Sequence, residues 1–336
     1  MAVKPLLHLG DACKCIFTTV QLKPKLHATT IYKQIRHFRR FRDKEEGLEI
    51  SLLNKHVKKN NVPLSKMWKP FVFTIMFSGT TFIAATIWNH ENQRKTYSIQ
   101  EYYTQLRQQK TRWRRDMEDW WKDLTEGERI FAPICFLNGI VFLAWRIPKF
   151  QKTMMQYFSS NPTSGAICWS MLLSSFSHHS FLHLAVNMYV LHSFISLAVS
   201  SLGKEQFTAL YLTSAVVSSF MSNLCKTAFG VCSPSLGASG AIMGILGFTC
   251  TEFPNIYISI IFLPMYTFAA GTAIKFLMGV DLLGILCRWQ IFDHAAHLGG
   301  VLFGIFWQAW GYENIWQKRE PIFKIWHEIR DSFKSR

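Results

Sequence analysis

Charged side chains are scarce in this sequence: only 17% of its 336 residues are Asp, Glu, Lys or Arg, against about a quarter in an ordinary soluble domain. They are also unevenly placed, before residue 70, between residues 89 and 128, and after residue 312. A second shortage is acidic residues near the start, where Asp11 stands alone among the Lys and Arg of residues 1–42. Paired cysteines are missing as well. The eight cysteines are spread singly apart from Cys13 and Cys15, and no CxxC occurs, so neither a zinc set nor a disulfide framework is legible. Cys225 and Cys232, flanking one short loop, are the pair that an oxidising compartment could join. No internal repeat appears, which counts against a secondary transporter built from two related halves.

What fills the space between the charged stretches is apolar. Runs near 71–88, 130–147, 181–200, 206–224, 239–253, 266–287 and 295–312 read as membrane spans, one isolated and then a block of six. Spans must be helical, because a backbone in lipid has to satisfy its own hydrogen bonds. The expected fold class is therefore an all-α membrane protein. The stretch 165–176 is too short to cross, and 256–262, stopped by Pro264, reads as an extended or re-entrant lead-in. Residues 111–124 carry Trp113, Trp120 and Trp121 among mixed charges and suit a helix lying at the membrane interface.

The formal net charge of +16 raises nucleic acid as a partner. No basic face is organised around a soluble core, so lipid headgroups and import machinery account for it better. Residues 1–42, acid-poor and with Arg36, Arg39, Arg40 and Arg42 clustered at their end, have the composition of a mitochondrial transit peptide; a basic tail of no such role is the alternative. The expected division is a leader and tail over 1–69, an extra span and polar connection over 70–128, a core over 129–312, and a polar tail over 313–336.

Polar side chains inside a membrane are expensive, and each is a candidate for function. Ser239 lies in Gly237-Ala238-Ser239-Gly240, with further small residues following; the same stretch also suits a packing face with an incidental serine. His297 lies in His294-Ala295-Ala296-His297-Leu298-Gly299-Gly300. Histidine is the natural base for a serine, because its ordinary pKa is close to the working pH. A histidine bonded to a carbonyl at a helix end fits equally. His294 and His297 at i and i+3 could also bind metal, but no neighbouring Cys, Asp or Glu completes a set, and none is expected. His183 and Asn187, at i and i+4, share one helix face and can donate hydrogen bonds in a dry site, as an oxyanion requires; a polar pair joining two helices is the plain alternative.

Taken together and in this order, the elements resemble the rhomboid family of intramembrane serine proteases over residues 130–310. The resemblance rests on Gly-x-Ser-Gly at 237–240, Ala-His-x-x-Gly-x-x-x-Gly from Ala296 to Gly304, and His-x-x-x-Asn at 183–187. The span before the block of six, with the basic leader, is similar to the mitochondrial branch. The resemblance implies a six-helix bundle preceded by one additional transmembrane helix. It implies a dyad of Ser239 as nucleophile and His297 as base, needing no cofactor and no third acidic member, so Asp293 is not recruited. His183 and Asn187 are the implied oxyanion donors, Gly237 and Gly240 support the serine, and His178 belongs to the active-site loop. Two positions depart from the family pattern. Met243 stands where many members have a tyrosine stacked on the histidine, and Ser170 follows Trp169 where many have arginine.

The implied activity is cleavage of transmembrane segments in single-pass proteins of the mitochondrial inner membrane, with lipid as the other partner and oligomeric state open. Counting spans puts Ser239 on the same side of the membrane as the N-terminus. The rival readings are an inactive relative that escorts membrane proteins, a channel or transporter, and a plain membrane anchor. Asp281 is the one acidic residue deep in an expected span, and the sequence offers it no evident partner.

Overall fold

The computed structural model describes residues 62–107, 112–260, 263–289 and 291–334, all within the compact unit His56–Arg336. The expected leader lies outside the described residues. Helix α1 (Trp68–Arg107) opens the described chain and is followed by α2 (Arg112–Asp123) and α3 (Glu126–Ala144). Short helices α4 (Gln151–Tyr157) and α5 (Ile167–Leu173) occupy a long loop before α6 (Phe181–Leu202), α7 (Lys204–Phe229) and α8 (Ser239–Glu252). A hairpin of β1 (Tyr257–Ile260) and β2 (Leu263–Ala269) leads into α9 (Ala270–Leu286) and α10 (His294–Phe306). The latter continues as a π-helix over Trp307–Trp316, and α11 (Glu320–Lys334) ends the described chain.

The fold is thus mostly helical rather than all-α. The segment expected to begin a span at residue 266 is strand as far as Ala269, paired antiparallel from Tyr257↔Ala269 to Ile260↔Leu263. Its β-branched and aromatic residues pair across the hairpin. Ala270 N–H donates to Ile256 O at 2.8 Å, closing the hairpin where α9 starts.

Among the described residues three helices are long and apolar enough to cross a membrane: Leu64–Arg94, which takes in most of α1, then α3 and α6. Their hydroxyls cause no difficulty in lipid. Thr74, Ser78, Thr80 and Thr81 each bond a carbonyl four residues back at 2.7–2.8 Å. Helices α8 and α10, of 14 and 13 residues, are shorter than that, and α7, at 26 residues, is long enough but less apolar, for a reason visible in their packing. They sit inside the protein, with Ser214, Ser218, Ser222 and Asn223 of α7 buried and the whole of Gly240–Cys250 buried in α8. Helices that face protein instead of lipid need small residues for close approach more than they need hydropathy.

Glycines set that approach. A Cβ at Gly300 would meet Gly240 O, and one at Gly304 would meet Gly244 O. Thus α8 and α10 touch backbone to backbone, and this contact fixes the distance between the residues at their N-terminal ends. One residue, Gly203 with φ 75°, separates α6 from α7; glycine adopts that left-handed conformation at little cost. Helix α1 packs along α7, and Phe82 of α1 stacks on the buried Trp307 with ring centroids 3.9 Å apart. Helix α2 lies within the segment 111–124, which is helical from Arg112 to Asp123. Trp113, Met117, Trp120 and Trp121 are all exposed, and their spacing puts them on one helical face. Arg129 ties the end of α2 to α3 by donating to Trp121 O and Lys122 O.

Candidate active site

Ser239 is the first residue of α8, so its N–H has no carbonyl four residues back within the helix. The chain reaches it through Gly237, whose φ is 134°. A side chain there would strike the His183 ring, with Cε1 2.8 Å from the added carbon. Gly237 therefore both makes the turn and leaves room for His183 beside Ser239. Helix α10 begins with Asp293 as N-cap, its Oδ1 accepting from Ala296 N–H at 3.1 Å. One turn further on, His297 Nε2 lies 3.0 Å from Ser239 Oγ.

The other ring nitrogen has a partner that the sequence did not reveal. Asp281, buried on α9, places Oδ1 3.5 Å from His297 Nδ1 and 2.8 Å from His294 Nδ1. For Nε2 to accept the serine proton, the hydrogen of a neutral His297 must reside on Nδ1, facing that carboxylate. Phe292 lies beside the same ring at a centroid distance of 6.2 Å, while Met243 is buried one turn below Ser239. Asp281 has no sequence-evident partner because it stands 13 and 16 residues before the two histidines, across the end of α9 and the turn into α10. Only a charge in a span flagged it. Among the described residues, no three His, Cys, Asp or Glu side chains converge as a metal set.

His183 and Asn187 lie on the same face of α6. Asn187 Nδ2 donates to His183 O at 2.9 Å; the amide has a second N–H. His178 is fully buried in the loop before α6 and accepts from Ala238 N–H through Nε2 at 3.4 Å. Burial, helped by the neighbouring His183, pushes His178 down to about 3. A neutral ring at physiological pH is what that acceptor role needs. Burial likewise lowers His179 to about 4, with Arg146 adding to the effect. The structure therefore brings Ser239, His297, His183, Gly237 and His178 together, with Asn187 one turn along α6. Gly240 serves packing: a Cβ there would collide with Ser218.

The loop is held despite Ser170 standing where the family pattern has arginine. Trp145 Nε1–H donates to Ser177 Oγ at 2.5 Å, and Arg146 Nη2 donates to His179 O at 2.7 Å. Gly237 N–H donates to Ser174 O at 2.9 Å. Ser160 and Ser235 exchange both backbone hydrogen bonds at 2.8 Å, joining the long loop to the segment that carries Ser239. Cys225 is a free thiol, so it forms no disulfide with Cys232.

Residues 166–314 match the rhomboid domain. The chain is 47% identical over 277 residues to the mitochondrial presenilin-associated rhomboid-like protein of Mus musculus, covering 80% of this chain and 73% of that one. It is 42% identical over 291 residues to the mitochondrial presenilin-associated rhomboid-like protein A of Danio rerio, covering 79% and 76%. A more distant relative is the mitochondrial rhomboid protein 1 of Saccharomyces cerevisiae, 35% identical over 187 residues and covering 54% and 53%. With that domain, those relatives and several apolar helices, the chain belongs to the rhomboid family, whose members are intramembrane serine proteases, as a multi-pass protein of the mitochondrial inner membrane.

Proposed function

We propose that this chain is an active intramembrane serine endopeptidase. Its substrates are transmembrane segments of single-pass inner-membrane proteins, and its catalytic pair is Ser239 and His297. The observation that carries the reading is the 3.0 Å approach of His297 Nε2 to Ser239 Oγ at the N-terminal ends of two helices in backbone contact. A serine and a histidine placed for packing alone have no need of that bond. A catalytically inactive escort would not need it either.

His297 takes the proton as Ser239 Oγ attacks the scissile carbonyl, and the protonated ring then passes it to the leaving amine. Water enters next and is activated by the same ring to release the acyl group. The Asp281 carboxylate acts as a positioning group: it holds the hydrogen on Nδ1 and stabilises the imidazolium in the transition state. At 3.5 Å the contact to His297 is electrostatic more than a short hydrogen bond, and His294 shares the carboxylate. The oxyanion is received by Ser239 N–H at the positive end of α8, by His183, and by the second Asn187 amide hydrogen.

In the membrane arrangement we infer, α1 is the additional helix. The six-helix core consists of α3, α6, α7, α8, α9, and α10 with its π-helical continuation. The core then extends over 129–312, after a basic leader and tail at 1–69 and the extra transmembrane helix with its polar connection at 70–128, and before a polar tail at 313–336. Ser239 and the start of α1 fall on one side, the matrix side if the leader enters the matrix. The substrate helix must unwind locally to present a carbonyl, so helix-breaking residues near the cut mark the substrates.

Cleavage of a tagged single-pass reporter by the purified protein in lipid tests the reading, with Ser239→Ala prepared in parallel. Expected is cleavage that disappears in the variant, a loss of about a millionfold in the chemical step. Equal cleavage by both would sink the assignment. Absence of cleavage across several reporters would favour the escort.

A further inference from the structure

The residues four positions before Ser239 and four positions before His297 are bonded to each other. Ser235 Oγ donates to Asp293 Oδ2, and the same oxygen accepts from Ser222 Oγ at 2.5 Å. Lys226, near the end of α7, places Nζ 3.2 Å from that carboxylate oxygen and also donates to Ser235 Oγ. The pair is largely covered, with side-chain exposures of 13% for Lys226 and 22% for Asp293. Beyond it, Ser235 is tied by both backbone groups to Ser160 of the long loop, and Asn223 Nδ2 of α7 donates to Ser160 Oγ at 2.9 Å. Asp293 is tied onward into α10, accepting Ala296 N–H through its side chain and His297 N–H through its backbone carbonyl.

From this geometry we propose, resting on the function proposed above, that Lys226 and Asp293 are positioning residues for the reaction. Together with Ser235 they form an ionic clamp that fixes the loop carrying Ser239 against the helix carrying His297. The clamp runs beside the Ser–His bond, about one helical turn (~5 Å) upstream of it along α10. The backbone contact of α8 with α10 sets their separation below the site. The clamp sets the position of the incoming loop above it, together with the Gly237 and Ala238 N–H groups that bond Ser174 O and His178 Nε2.

Two features separate this role from ordinary helix capping. A cap requires only one acceptor on the N-terminal N–H groups, and Asn serves as well as Asp. The second carboxylate oxygen is instead spent on three groups from α7 and the serine loop. A charge so covered persists only when paired. Burial alone would raise Asp293, but the Lys226 ammonium, the Ser222 and Ser235 hydroxyls and the Ala296 N–H together hold it well below the usual carboxylate range. The negative charge on which the clamp depends is therefore present throughout the physiological range.

The test compares Asp293→Asn, Lys226→Met, Lys226→Arg and Ser235→Ala with the wild-type full chain in lipid. Four quantities are read: kcat and KM on the reporter, the Ser239 fraction labelled by a fluorophosphonate, the thermal midpoint, and amide exchange across residues 231–240. Asp293→Asn keeps the cap and removes the charge. Expected is a fall in kcat of about tenfold or more for Asp293→Asn and Lys226→Met, as small misplacements of reacting groups cost on that scale. KM stays within about twofold, amide exchange rises across 231–240, and Lys226→Arg recovers most of the rate. Ser235→Ala, the mildest change, loses rate in the same direction and remains informative should a charge variant fail to fold. Rates equal to wild type overturn the clamp, as does a loss that follows the thermal midpoint or the labelled fraction alone. So does Lys226→Arg behaving like Lys226→Met. Wild-type protein that neither cleaves nor takes up the fluorophosphonate overturns the protease reading instead. Amide exchange, which needs no activity, then decides the clamp by itself.

Discussion

Helices α3 and α8 are built for opposite surroundings. Only 17% of the apolar window of α3 is buried, and Phe136, Leu137, Ile140 and Leu143 project from it. In α8 every residue from Gly240 to Cys250 is buried, and three of its positions are glycine. The outer helix meets lipid, a solvent that accepts any apolar shape. The inner helix meets the backbone of α10, which accepts almost none. The long apolar window that marks the first kind has no room in the second, a helix of 14 residues, although the chemistry resides there. A span in this fold is read from its partners as much as from its hydrophobicity.

The contrast is sharpest at the α8–α10 contact. In Gly304→Val the new carbon meets Gly244 O and Phe248 N, which are backbone atoms that cannot rotate away. Overpacking in a core costs about 1–3 kcal/mol and sometimes more, and a rigid neighbour puts this case at the upper end or beyond. We expect a steep fall in thermal midpoint in detergent, together with loss of activity. Gly304 is nearly two turns from His297, so a normal midpoint with full activity would show that backbone contact does not hold the two helices.

A smaller effect, confined to chemistry, is expected at Asp281. In Asp281→Asn the shape is kept, while the charge that holds the hydrogen on His297 Nδ1 is lost. The expected drop in kcat is about 10- to 100-fold, toward the low end of what a positioned acid–base group contributes, with the thermal midpoint little changed. The check is kcat read beside the thermal midpoint: a loss of rate at an unchanged midpoint places the effect in the chemistry. An unchanged kcat would leave Asp281 as a partner of His294 only.

Legibility in the sequence follows the same division. Ser239, His297, His183 and Asn187 were found because each sits in a short local pattern of small or polar residues inside an apolar run. Asp281 was noticed only as an isolated charge, since its contacts to His294 and His297 arise from the packing of α9 on α10 across a turn. The Lys226–Asp293–Ser235 cluster has no signature in the sequence. Lys226 looks like an ordinary basic residue in the last turn of a helix, and Asp293 like an ordinary cap. Residues 266–269 of the strand Leu263–Ala269 read in the sequence as the beginning of a span, because a short apolar run has no periodicity to separate strand from helix. The extended reading of 256–262, stopped by Pro264, points to the hairpin from its first strand. The bounds of α3, α6 and α8 are legible in the sequence to within four residues, 130–147, 181–200 and 239–253 against Glu126–Ala144, Phe181–Leu202 and Ser239–Glu252.

The outer helix supplies the smallest effect. Phe136 is 71% exposed on α3, within a helix whose hydropathy qualifies it to cross the membrane. Burying a phenylalanine in a protein core and then truncating it costs about 3–5 kcal/mol. In lipid the side chain has hydrocarbon neighbours in both the folded and the inserted but unpacked chain, so its removal cancels between the two states. Phe136→Ala should shift the thermal midpoint by less than the equivalent of about 0.5 kcal/mol, the range of substitutions away from packed features, and leave kcat unchanged. Reporter cleavage and a thermal scan in the same lipid decide it. A loss approaching the core value would mean that Phe136 is covered by protein, and that α3 is an inner helix of a larger assembly.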